Sequence, residues 1–111
     1  MNYHNKKFRV LSNTENGETT DETIFHYKQI ENILTCEYSG GKIKVGHLLG
    51  IVDTDGNIDI RYHQINDKGQ FMTGICLSKP EILLNGKIRL LEEWQWTLGD
   101  YSKGQSILEE I

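Results

Sequence analysis

A chain of 111 residues, 37% hydrophobic and 9% aromatic, carries enough apolar material for one modest core, so residues 1–111 are read as a single domain. Its net charge of −4, with basic residues scattered singly, offers no basic stripe for a phosphate backbone and argues against a nucleic-acid partner. No apolar run approaches the ~20 residues of a membrane helix, and the opening Met1-Asn2-Tyr3-His4-Asn5-Lys6-Lys7 lacks the apolar stretch of a secretory signal, so no membrane partner and a cytoplasmic location are expected.

Phe8 and Val10 mark an opening strand, and the polar stretch from Asn13 to Asp21, with Gly17, reads as a longer loop. Tight-turn signals then recur at Glu31-Asn32, Gly40-Gly41, Asp55-Gly56, Asn66-Asp67-Lys68-Gly69 and Asn85-Gly86. The runs between them alternate apolar and polar residues, the pattern of successive β-hairpins in which each strand pairs with the next.

Side-chain direction follows from the turns, because a one-residue change of register sends every side chain to the other face. Taken as a two-residue turn, Asp55-Gly56 sets Ile51 opposite Ile60 and Leu49 opposite Tyr62. Ile43, Val45, His47, Leu49 and Ile51 then share the core face with Ile58, Ile60, Tyr62 and Gln64, and Leu48 points outward. Two-residue turns at Gly40-Gly41 and Glu31-Asn32 carry that face back through Tyr38, Cys36 and Leu34 to Tyr27 and Phe25, with Phe25 opposite Tyr38.

Onward from Gln64, the Asn66–Gly69 segment suits a type I turn followed by a left-handed glycine. It sets Gln64 opposite Met72, Tyr62 opposite Gly74 and Ile60 opposite Cys76. A two-residue turn at Asn85-Gly86 would send Trp94 and Trp96 outward. A bulge between Lys79 and Ile82, at the sole proline, Pro80, restores them to the core, Cys76 facing Trp94 and Gly74 lying under Trp96. Thr97 to Gly104 reads as a second loop, and Ser106 to Glu110 as a closing strand.

The expected fold is all-β: about eight antiparallel strands in up-and-down order, closed into a barrel that leaves no free edge. A two-layer sandwich is the alternative. A barrel of this size is either filled by side chains or holds one small ligand. His47, Tyr62, Gln64, Trp94 and Trp96 are the candidate ligand-binding residues, an aromatic wall with a few polar groups. Ser78 and Glu92 also point inward.

No metal site is expected, since His47 and His63 fall on opposite faces of one hairpin and His26 faces outward. Cys36 and Cys76 lie on non-adjacent strands and are read as unpaired core thiols. No cofactor motif and no partnered nucleophile are evident, and no catalytic residue is assigned. Three readings follow: a non-enzymatic barrel for a small apolar or amphipathic ligand, an enzyme using His47 or Glu92 as acid and base, or a filled barrel acting through its outer apolar residues. On that outer face Phe71, Ile75 and Leu77 are candidates for a homodimer contact.

The runs Arg61-Tyr62-His63, Thr73-Gly74-Ile75-Cys76-Leu77-Ser78-Lys79-Pro80-Glu81 and Trp94-Gln95-Trp96-Thr97-Leu98-Gly99-Asp100, with Glu15-Asn16-Gly17 and Tyr38-Ser39-Gly40-Gly41, resemble a family of small single-domain microbial proteins over essentially the whole chain. Members of that family often carry the label N-acetylglutamate synthase, which implies acetyl transfer without naming catalytic residues. In architecture the chain is similar to calycin-type barrels such as lipocalins, fatty-acid-binding proteins and avidins.

Overall fold

A computed structural model describes all residues, Met1–Ile111. It contains nine strands: β1 (Lys7–Asn13), β2 (Ile24–His26), β3 (Lys28–Ile30), β4 (Ile33–Gly40), β5 (Ile43–Val52), β6 (Ile58–Asn66), β7 (Phe71–Ile82), β8 (Ile88–Trp96) and β9 (Lys103–Glu110). Strands β2 and β3 are two halves of one stave, broken where Tyr27 pairs instead with the amino-terminal segment. Neighbours pair antiparallel in chain order, β1 pairs with β9, and β2 pairs with both β1 and β4. The result is a closed, eight-staved, up-and-down barrel without helices.

Three of the hairpins share one turn. In Asp53–Asn57, Asn66–Gln70 and Leu83–Lys87 the first residue's N–H donates to the carbonyl of the fifth, and the glycine at the fourth position donates back to the first. Gly56, Gly69 and Gly86 hold φ of 86°, 76° and 84° there, a left-handed backbone that glycine adopts without steric cost. Only Asn66–Gln70 matches the turn expected from sequence.

That single difference explains two corrections. At Asp53–Asn57 the extra loop residue makes the register Leu48↔Tyr62, Gly50↔Ile60 and Val52↔Ile58. Leu48 and Val52 are therefore buried, while Val45, His47, Leu49 and Ile51 turn outward. Ile43 remains inside because the register shifts between Ile43 and Val45. At Leu83–Lys87 the same turn brings Trp94 and Trp96 inward, so no bulge is needed. β7 and β8 pair without interruption through Pro80↔Leu90, and the bulge expected at Pro80 is absent. The β6–β7 pairing (Gln64↔Met72, Tyr62↔Gly74, Ile60↔Cys76) and the Cys76↔Trp94 and Gly74↔Trp96 pairs are as expected.

The two barrel ends are closed differently. At the end carrying the Asp53 and Leu83 turns, Tyr3 is fully buried, packs against Phe8 and Tyr27 at ring separations of 6.3 and 6.1 Å, and donates its hydroxyl to the Gly56 carbonyl. At the other end the β1–β2 loop, residues 14–23, folds over the mouth.

Candidate functional site

Interior glycines make the site. Tyr38 lies over Gly46, Tyr62 over Gly74 and Trp94 over Gly104, each pair facing across adjacent strands. A side chain at any of these glycines would occupy the ring's place. The sequence expectation set Trp96 over Gly74; the register holds, but Tyr62 takes that space. Trp96 stands edge-on to Tyr62 at 5.8 Å and beside Trp94 at 5.2 Å.

These rings wall an internal cavity of about 60 Å³, bordered also by Gln64, Glu18 and Glu92. Its volume suits a few waters or a small head group, well below the ~300–1,000 Å³ of drug-sized sites. Tyr62, Gln64, Trp94 and Trp96 all border it. His47 does not. It lies on the outer face opposite His63, their rings 5.5 Å apart, because of the β5 register described above. His47 and Glu92 thus share no site, and the two histidines share a face that sequence reasoning had divided. No group of three or more His, Cys, Asp or Glu side chains is arranged to hold a metal ion.

The roof is a hydrogen-bonded chain. Tyr38 donates its hydroxyl to Gln64 Oε1 at 2.7 Å, Gln64 Nε2 donates to Glu18 Oε1 at 2.8 Å, and Asn66 Nδ2 donates to Glu18 Oε2 at 2.8 Å. The indole N–H groups hold the loop's base, Trp96 donating to the Asn16 carbonyl at 2.9 Å and Trp94 to Asn13 Oδ1 at 3.2 Å. Glu18, Tyr38 and Asn13 were not among the candidates. Glu18 sits in a polar loop with no periodicity to orient it, and the alternation that places Tyr38 in the core says nothing of its hydroxyl.

The floor is a polar row. Ser78, Glu92 and Ser106 face one another across β7, β8 and β9. Ser106 Oγ donates to Glu92 Oε1 at 3.2 Å, whereas the fully buried Ser78 hydroxyl finds no partner of good geometry. Glu92 keeps some accessible area where it borders the cavity, yet protein encloses its carboxyl. Desolvation raises its pKa to about 7, although the nearby serine hydroxyls favour the charged form. Burial likewise pushes Tyr38 and Tyr62 far up, lifts Cys36 to about 12 and raises Cys76, so both free thiols are inert.

With this geometry in view, comparison with known families gives one match: the family model described as "Avidin-like protein" matches residues 1–111. The chain belongs to the avidin-like family. Neither proteins of curated function nor solved structures give a match. The architectural likeness to calycin-type barrels is thereby supported for this avidin-like chain, and nothing supports the N-acetylglutamate synthase label.

Proposed function

We propose that the protein binds a small molecule inside the barrel, beneath the loop of residues 14–23. The observation that carries this reading is the cavity itself, where Gln64, Glu18 and Glu92 present polar atoms to a space walled by Tyr62, Trp94 and Trp96. A core serving stability alone gains nothing from a desolvated carboxyl. Membership in the avidin-like family supports a small ligand and suggests a biotin-like class. A guest larger than the cavity enters by displacing Glu18 from Gln64 and Asn66, which costs a few hydrogen bonds at the rim and leaves the barrel intact.

A thermal-shift screen of small metabolites, biotin included, tests the reading on the wild type and on Trp96→Ala and Tyr62→Ala. Affinity for any hit is expected to fall roughly tenfold or more in both variants, since each removes an aromatic wall. Hits whose affinity is the same in all three proteins would refute this site. His47→Ala, on the outer face, is expected to leave the affinity unchanged.

A homodimer through Phe71, Ile75 and Leu77 is proposed alongside. These side chains are 67%, 37% and 43% exposed, and Leu49 and Ile51 extend the apolar face across β5. Between them lies the exposed Arg61–Asp59 ion pair, whose two signs of charge suit a self-complementary two-fold contact. Sedimentation equilibrium is expected to give a dimer for the wild type and a monomer for the double variant Ile75→Lys and Leu77→Lys. A monomeric wild type at high micromolar concentration would rule the contact out.

A further inference from the structure

We infer that the ligand accepted by this cavity is an organic cation, an alkylammonium group held against Glu92 at the floor of the aromatic-walled interior. The assignment rests on the interior being a binding site, and it adds the ligand's charge and chemistry.

Three independent observations converge on it. The charged residues bordering the cavity are Glu18 and Glu92, one at the roof and one at the floor, and no lysine, arginine or histidine borders it. The titratable groups that face Glu92 are Tyr3 on the amino-terminal plug, Tyr27 between β2 and β3, Tyr38 on β4, Tyr62 on β6 and Cys76 on β7. All are acids that stay neutral near pH 7, so the interior offers the Glu92 charge serine hydroxyls but no counter-ion. An enclosed carboxylate without a counter-ion is a strained arrangement that a bound cation relieves.

The second observation is the Ser78 hydroxyl, fully buried behind Glu92 and short of a hydrogen bond of good geometry. A buried hydroxyl is seldom left unsatisfied. An ammonium group seated on Glu92 holds the carboxylate in the charged form that accepts from Ser78, and its three N–H donors also serve the Ser106 oxygen at the cavity border. The third is the wall. Ring faces attract cations through their quadrupole, and desolvation strengthens the attraction. Tyr62, Trp94 and Trp96 line the space above Glu92, and Gly74 and Gly104 let the Tyr62 and Trp94 rings lie close to the sheet. An anionic group seated at this floor would instead meet the Glu92 charge, so a carboxylate-bearing ligand would have to keep its carboxylate away from it.

The probe set is n-butylammonium, 1-butanol and butyrate, similar in size and differing in charge. Binding to the full-length protein at pH 8 is read from Trp94 and Trp96 fluorescence and from thermal shift. Butylammonium is expected to bind roughly tenfold or more tightly than butanol, and butyrate not to bind. Glu92→Gln is expected to erase that preference, and lowering the pH to 5 is expected to weaken butylammonium binding to the wild type as Glu92 takes a proton. Glu18→Gln, a change in the roof loop, is expected to keep the preference. Equal or tighter binding of butanol or butyrate overturns the cation assignment while leaving a binding barrel in place. Preference lost in Glu18→Gln but retained in Glu92→Gln also overturns it, because the cation then sits at the mouth. If no probe perturbs the indoles, the cation assignment fails. The wider metabolite screen then decides the binding reading by itself.

Discussion

Tyr3→Ala is expected to destabilise the protein by about 3–5 kcal/mol, the usual cost of emptying a buried aromatic position. Tyr3 lies outside every strand, so the size of this effect measures how far the barrel depends on its plug. The ring fills the narrow end against Phe8 and Tyr27, and the hydroxyl satisfies the Gly56 carbonyl within the Asp53–Asn57 turn. Met1 completes the packing over Gly56 together with Pro80. Tyr3→Phe separates the two contributions. It keeps the ring and strands a buried carbonyl, at about 1–2 kcal/mol. Urea unfolding of the three proteins is the measurement. A loss below about 1 kcal/mol for Tyr3→Ala would mean that the amino-terminal segment is only laid on the barrel.

Glu92→Gln is expected to raise the thermal midpoint at pH 8 and to change it little near pH 5. The folded protein holds the Glu92 proton up to about pH 7, whereas the free side chain loses it near 4.5. The folded state therefore binds more protons across that window, and stability falls as pH rises through it. The contribution is fully present below 4.5, declines between 4.5 and 7, and is lost above about 7 on the order of 3 kcal/mol. Glutamine keeps the shape and remains neutral, so the difference between wild type and variant isolates this group from the surface carboxylates. An equal displacement at both pH values would show that Glu92 ionises freely in the folded protein. A saturating alkylammonium ligand is expected to remove much of the wild type's alkaline deficit, which links this experiment to the cation assignment.

The fold was legible in the sequence because turns and alternation are local. Phe25 opposite Tyr38, and Tyr62 opposite Gly74, follow from counting residues across hairpins. The same counting fails at Asp55-Gly56 and Asn85-Gly86, where each pair is only part of a longer turn. Asp53 stands three residues before Gly56 just as Asn66 stands before Gly69, and each side chain accepts from the backbone N–H two and four residues on. That Asx residue at the first turn position marks the longer loop at Asp53, whereas Leu83 carries no such side chain and its turn has no local signal to separate it from a two-residue one. Reading it would have placed Leu48 inside and His47 outside. The roof was beyond reach for a different reason: Glu18 meets Gln64 and Asn66 across 46 and 48 residues of chain, and no local pattern encodes that meeting.

The barrel is closed by one seam unlike the rest. Seven junctions join staves that follow each other in sequence, but β1 meets β9 by bringing Phe8 beside Glu110. The seam is also irregular, its register slipping between Val10 and Ser12. Loop-closure entropy makes so distant a pairing slow to nucleate, whereas the hairpins can zip early and independently. Folding is thus expected to pass through an open curved sheet with two bare edges, so that substitutions along the β1–β9 seam chiefly speed unfolding in a chevron experiment and leave the hairpins' early pairing intact. The native barrel would first breathe at the broken β2–β3 stave, which is joined to β1 by three residue pairs, and amides there would exchange with solvent ahead of those on β6 and β7.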